Sequence, residues 1–212
     1  MKKLPSDLFE INEDVAKELG VDSDFDTSGS VLVVTGQNAS GKSFLRRLLH
    51  VKLKQMKIEV IVLSQEGRTS GGVVSAMVYG DESRSSTGSI SCQTFISGIH
   101  TSRSRQGHHV LIWDEPEIGM GEELQLGSAQ WLFRELSNWP KNLQGVILLT
   151  HSRHFVREAM KQESAKWFSL DGYKTAESWL KRKIKPAAPD VLAEDAVKKF
   201  RKLIRMLSEL KD

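Results

Sequence analysis

Gly36-Gln37-Asn38-Ala39-Ser40-Gly41-Lys42-Ser43 fits the phosphate-binding loop pattern G-x-x-x-x-G-K-[ST] at each fixed position. Such a loop aims backbone N–H groups and the positive end of a helix at one point, which suits a polyphosphate. The candidate nucleotide contacts are Gly36, Asn38, Ala39, Ser40, Gly41, Lys42, Ser43 and Phe44. Lys42 would reach the β and γ phosphates, and the Ser43 hydroxyl would meet Mg²⁺. Asp114 follows the apolar run Val110-Leu111-Ile112-Trp113, where a carboxylate can hold Mg²⁺ opposite Ser43. Its neighbour Glu115 can orient or deprotonate an attacking water. His151 follows Gly145 to Thr150 and can donate a hydrogen bond to a γ-phosphate or to that water.

These groups need strands and helices to bring them together, and the pattern supplies both. Val31 to Thr35 is a β-branched apolar run that predicts a buried strand ahead of the loop. From Ser43 to Lys57 the apolar spacing of Phe44, Leu45, Leu48, Leu49, Val51 and Leu53 predicts a helix after it. Further strands are expected at Ile58 to Leu63, Val73 to Tyr79, Val110 to Trp113, Gly145 to Thr150 and Lys166 to Leu170. Helices are expected at Ser6 to Leu19, around Phe95 to Ile99, at Gln125 to Trp139 and at Phe155 to Glu163. Strands alternating with helices predict an α/β fold with a mostly parallel sheet flanked by helices, in which ligands bind beyond the carboxyl ends of strands. The glycine loop, Asp114-Glu115 and His151 each stand at such an end.

The remaining features bound the answer. A chain of 212 residues accommodates one α/β domain with a small appendage. The single cysteine, Cys92, excludes an intramolecular disulfide and favours a reducing compartment. No apolar run reaches the roughly 20 residues of a membrane span, so a cytoplasmic protein without a membrane partner is expected. Net charge is +3, and the basic excess is C-terminal, with 11 Lys/Arg against 6 Asp/Glu from Lys174 onward. Beyond Pro186 and Pro189, the residues Ala196, Phe200, Leu203, Leu207 and Leu210 recur at alternating four and three, with basic residues between them. This predicts an amphipathic helix, packed on its own domain or serving as a dimer or partner seam. The expected division is residues 1–173 for the main domain, with a helical segment at about 82–107, and 174–212 for the appendage. The other histidines, His100, His108, His109 and His154, read as surface or helix-packing residues.

Gly36 to Ser43, Asp114-Glu115-Pro116 and Leu148-Leu149-Thr150-His151 together resemble the ABC-type ATPase head, over residues 31 to about 170. The resemblance implies a P-loop NTPase fold, ATP and Mg²⁺ as ligands, Glu115 as general base, Lys42 on the phosphates and His151 as switch histidine. It also implies an ATP-dependent homodimer in which a serine at a helix start completes the partner's site. Leu-Ser-Gly-Gly-Gln, the usual form of that signature, does not occur; Ser89 in Thr87-Gly88-Ser89-Ile90-Ser91 is the substitute, with Ser86 nearby. The placement is similar to that in mismatch-repair, SMC and RecF-like ATPases. Gln65, after the second strand, would be the family's Mg²⁺-sensing glutamine, or else an exposed loop residue. Lys42 and Asp114 are 72 positions apart, leaving little room for the helical subdomain of transporter ATPases. A soluble ATPase of nucleic-acid maintenance or defence is therefore expected, with nucleic acid or an effector protein as further partner. The alternatives are a nucleotide-gated interaction module with little turnover and a transporter subunit.

Overall fold

A computed structural model describes residues 3–64, 87–184, 186 and 188–209. Among the described residues, five strands form one sheet: β1 (Val31–Thr35), β2 (Glu59–Ser64), β3 (His109–Asp114), β4 (Leu143–Thr150) and β5 (Ala165–Ser169). Their order is β2-β3-β4-β1-β5, and every pair is parallel. The α/β layout expected from the alternating pattern is the one observed. The expected strand at Val73 to Tyr79, together with Gln65 and Ser86, lies outside the described residues.

Side chains of a strand point alternately to its two faces, and here both faces are apolar because both are covered. Val31, Val33, Leu111, Trp113, Val146 and Leu148 belong to one core cluster; Leu32, Val34, Val110, Ile112, Ile147 and Leu149 belong to the other. Over the first face lie α3 (Thr87–Ser104), α4 (Glu122–Ser137), α5 (Arg153–Ala159) and α6 (Ala176–Leu180). They contribute Phe95, Ile99, Leu132, Phe133, Phe155 and the fully buried Trp179. Over the second face lie α1 (Glu13–Leu19), α2 (Lys42–Gln55) and the C-terminal α7 (Pro189–Glu209), contributing Leu19, Leu45, Leu49, Leu53 and Leu203. The loop helix α2 and the distant α7 thus share one face.

Element ends follow local chemistry. The expected helix from Ser6 shortens to Glu13–Leu19 because Asn12 caps it, its side chain accepting from Asp14 N at 3.0 Å and Val15 N at 3.2 Å. It stops at Gly20 in the left-handed region, with Val21 N donating back to Ala16 O at 2.8 Å. Helix α2 ends with the same return bond, Ile58 N to Leu53 O at 3.0 Å, but a lysine, Lys57, holds the left-handed position there. His109 is fully buried rather than superficial: its Nε2 meets Ser102 Oγ at 2.7 Å and its Nδ1 meets Gly107 O at 2.9 Å, joining the end of α3 to β3.

Candidate functional site

The glycine loop leaves β1 at Thr35. Ala39 (φ 66°) and Gly41 (φ 103°) adopt left-handed backbone, the geometry that gathers successive amides into an anion-binding concavity. Gly36 is fixed by space: a Cβ there would stand 2.3 Å from Ser40 Oγ. Gly41 is fixed by both, since its Cβ would stand 2.7 Å from Leu19 Cδ2. Ser40 Oγ is buried without a hydrogen-bond partner among the described residues. A hydroxyl left so inside converging amides is a ready donor to an anion.

Lys42 opens α2 and is buried. Its ammonium donates to the carbonyls of Gly36 at 2.8 Å and Gln37 at 2.9 Å, and lies 3.2 Å from Glu115 Oε1. Glu115 itself has φ 52°, a conformation unfavourable for any residue with a Cβ. Its amide donates to Leu149 O of β4 at 2.8 Å, which holds that turn in place. Strained backbone at a charged residue is a recurrent mark of functional positions.

His151 follows β4, with Nδ1 3.8 Å from Glu115 Oε1 and 3.2 Å from Glu117 Oε1. Glu117, 3% exposed, also accepts from His151 N at 2.7 Å. A second tie runs through Gln125, which accepts from Ser152 Oγ at 2.7 Å and donates to Met120 O at 3.0 Å. The loop after β3 is therefore pinned to the end of β4 at two places. In the sequence, the one signal for Glu117 is its membership of the same acidic cluster as Glu115.

Asp114 is buried, and its Oδ2 lies 2.9 Å from Arg46 Nε, a buried guanidinium one turn beyond Lys42 on α2. Ser43 is exposed at the rim. These two residues offer a hydroxyl and a carboxylate oxygen, a hard donor set that suits Mg²⁺, which takes few protein oxygens and completes its shell with phosphate and water. The residues present thus fit a Mg²⁺-nucleotide, which Ser43 and Asp114 would hold, Asp114 keeping its pair with Arg46. At the start of α3, Ser91 Oγ donates to Ile118 O at 2.8 Å, facing the loop after β3, whereas Ser89 is exposed.

Charge around Glu115 is balanced by its neighbours. The His151 imidazole first, and the Lys42 ammonium after it, hold the Glu115 carboxyl at about 2, against burial that would raise it. The His151 pKa is raised, chiefly by Glu115 and then by Glu117, against burial and Lys42. At 3.8 Å the imidazole and Glu115 interact as charges rather than through a hydrogen bond, and Glu117 is the nearer carboxylate. The signs follow. The Glu115 contribution to stability is present above its ordinary value of 4.5 and is lost as pH falls through about 2. The His151 contribution is present below 6.5 and is lost as pH rises through its raised folded value. The His151 imidazole of the nucleotide-free protein should therefore titrate above 6.5, and in Glu115→Gln its midpoint should fall, because Glu115 is the largest cause of the rise. An unchanged midpoint would show that Glu115 does not sense the ring.

A cavity of about 640 Å³ opens at the loop, lined by Asn38, Lys42, Ser43 and Glu115 on one side and by Val197, Lys199 and Phe200 of α7 on the other. Its size falls within the ~300–1,000 Å³ of small-molecule sites. No protein-family model matches the chain, and no curated protein matches it. Among solved structures it is similar to a chain of the HORMA:CdnC:Trip13 complex of E. coli MS115-1, at 14% identity and TM-score 0.42 over 66% of this chain and 48% of that one. It is also similar to the ORC1 protein of Aeropyrum pernix, solved in complex with DNA, at 17% identity and TM-score 0.36 over 93% of this chain and 56% of that one. The chain spans about half the length of each, and at these TM-scores neither likeness carries an argument about chemistry. No helix among the described residues is long and apolar enough to cross a membrane.

Proposed function

We propose that the chain is a Mg²⁺-dependent ATPase of the ABC type. One observation supports this most: strands β1, β3 and β4, far apart in sequence, end together so that Lys42 lies 3.2 Å from Glu115 with His151 3.8 Å from the same oxygen. A phosphate-directed cation, an ionised carboxylate and a histidine on adjacent strand ends are the parts needed to bind a triphosphate and direct water at it.

In this reading the phosphates occupy the glycine loop, and the Lys42 ammonium exchanges its carbonyl acceptors for phosphate oxygens. Ser43 and Asp114 would hold Mg²⁺, which supplies neutralising charge. Glu115 orients the water and accepts its proton, while His151 donates toward the terminal phosphate. Ser89 is exposed near the start of α3, and in this reading it meets the nucleotide of a second copy, so ATP would join two chains head to tail and hydrolysis would release them. A partner effector or nucleic acid would read that state.

The test is ATP binding and phosphate release by the full chain, together with its size in solution. The parent should bind and turn over ATP, and Lys42→Ala should do neither. Glu115→Gln should become a dimer only with Mg²⁺ and ATP; a monomer in both conditions would remove the paired-site part of the reading. Binding without turnover in the parent would favour the nucleotide-gated module.

A further inference from the structure

Helix α7 begins more than 140 residues after the glycine loop, yet it reaches that loop. Lys199 Nζ donates to Ser40 O at 2.7 Å, and its Cε stands 3.6 Å from where a Cβ would sit on Gly41. Two anchors keep the helix there. Leu203, 1% exposed, joins the core cluster that contains Leu19 and Leu45, and Lys202 ion-pairs with Glu18 of α1. On the N-terminal side of these anchors the helix turns a different surface to the cavity: Val197 and Phe200 line it while remaining 48% and 46% exposed. A helix that served only to cover its own domain would bury such residues and leave its cations in water. Here a phenylalanine and a valine stand open beside a charged loop, and an ammonium is turned inward onto that loop.

We infer that α7 is the far wall of the nucleotide site, Lys199 giving the polyphosphate a second ammonium and Val197 with Phe200 giving the base an apolar surface. This rests on the Mg²⁺-ATP reading of the loop. The chemistry of Lys199 favours the exchange. Its acceptor is a neutral backbone carbonyl, and hydrogen bonds from an ammonium to ionised oxygens are shorter and roughly twice as strong as neutral ones. Burial also holds its pKa below the ordinary lysine value, opposed by the more distant Glu18 and Asp171, as expected of a cation partly removed from water. Phosphate would restore what that burial withholds. An aromatic ring facing the open cavity supplies the flat surface on which a purine stacks.

The experiment uses the full chain with a ribose-labelled fluorescent ATP, and unlabelled ATP and adenosine as competitors. Lys199→Met keeps the aliphatic stem and should weaken ATP about tenfold, the cost of one charge-assisted hydrogen bond, with adenosine unaffected. Lys199→Arg should restore most of the loss. Phe200→Ala should weaken ATP and adenosine alike. Lys202→Met, which loses only the anchor to Glu18, should match the parent. Parent-like ATP affinity in Lys199→Met would overturn the inference, as would an equal loss in Lys202→Met, which would show that helix docking and not contact is being read. Absence of binding by the parent, or an unaffected Lys42→Ala, would instead remove the site reading on which the inference stands.

Discussion

Replacing Glu115 with glutamine is expected to lower ATP turnover by about 10²–10⁴-fold, the contribution typical of a positioned acid–base group, while leaving ATP affinity within a few-fold of the parent. The substitution keeps side-chain size and the left-handed backbone at this position, so the turn held by Leu149 O is not disturbed. What is lost is a carboxylate. With His151 and Lys42 beside it, that carboxylate is held at about 2, ionised throughout the working range yet weakly basic. In the proposed reading, nucleotide would change its surroundings in two ways: phosphate oxygens would draw off the Lys42 ammonium, and a negative γ-phosphate would approach. Each raises the pKa of the carboxylate and strengthens it as a base. Glu115 would thus be kept quiet until the substrate arrives. Phosphate release under saturating ATP is the measurement. A rate within a few-fold of the parent would remove Glu115 from the proton-transfer step.

The parts of this arrangement that were legible in the sequence are those that repeat locally. A glycine spacing, alternating apolar runs and strand-end carboxylates are written in consecutive residues, so the loop, five of the six expected strands and the placement of Asp114, Glu115 and His151 could all be read from them. What escaped depends on how elements pack. Arg46 sits one turn beyond Lys42, and nothing local says that this face of α2 will meet the end of β3. Glu117 looks like one more surface acid until the loop folds back beneath His151 N. His108 and His109 read alike in the sequence, as surface or helix-packing residues, and only the pairing of β3 and the bond from Ser102 of α3 show that His109 takes the packing role. On α7 the periodicity groups Phe200 with Leu203, but the helix docks along only part of that stripe, burying Leu203 and leaving Phe200 at the cavity. A stripe tells that a helix has an apolar side; its neighbours decide how much of that side is covered.

Arg46→Ala is expected to destabilise the protein by about 3 kcal/mol, the range found when one member of a buried ion pair is removed. Both side chains of the pair are less than a tenth exposed, and their charged atoms are 2.9 Å apart. Taking the guanidinium away leaves the Asp114 carboxylate in the same low-dielectric surroundings with its nearest positive charge gone. Asp114→Asn in the same chain should return part of the loss, because the amide carries no charge to desolvate; the deficit of the double variant should be smaller than the sum of the two single ones. Denaturant unfolding of the four proteins without nucleotide measures this coupling. Mg²⁺ with ATP adds a further contrast: a metal ion at Asp114 would replace the missing positive charge, so the increase in midpoint on adding Mg²⁺-ATP should be larger for Arg46→Ala than for the parent. Equal increases would mean that the metal does not draw on Asp114. A loss near zero for Arg46→Ala would mean that the carboxylate finds its compensation elsewhere in the fold.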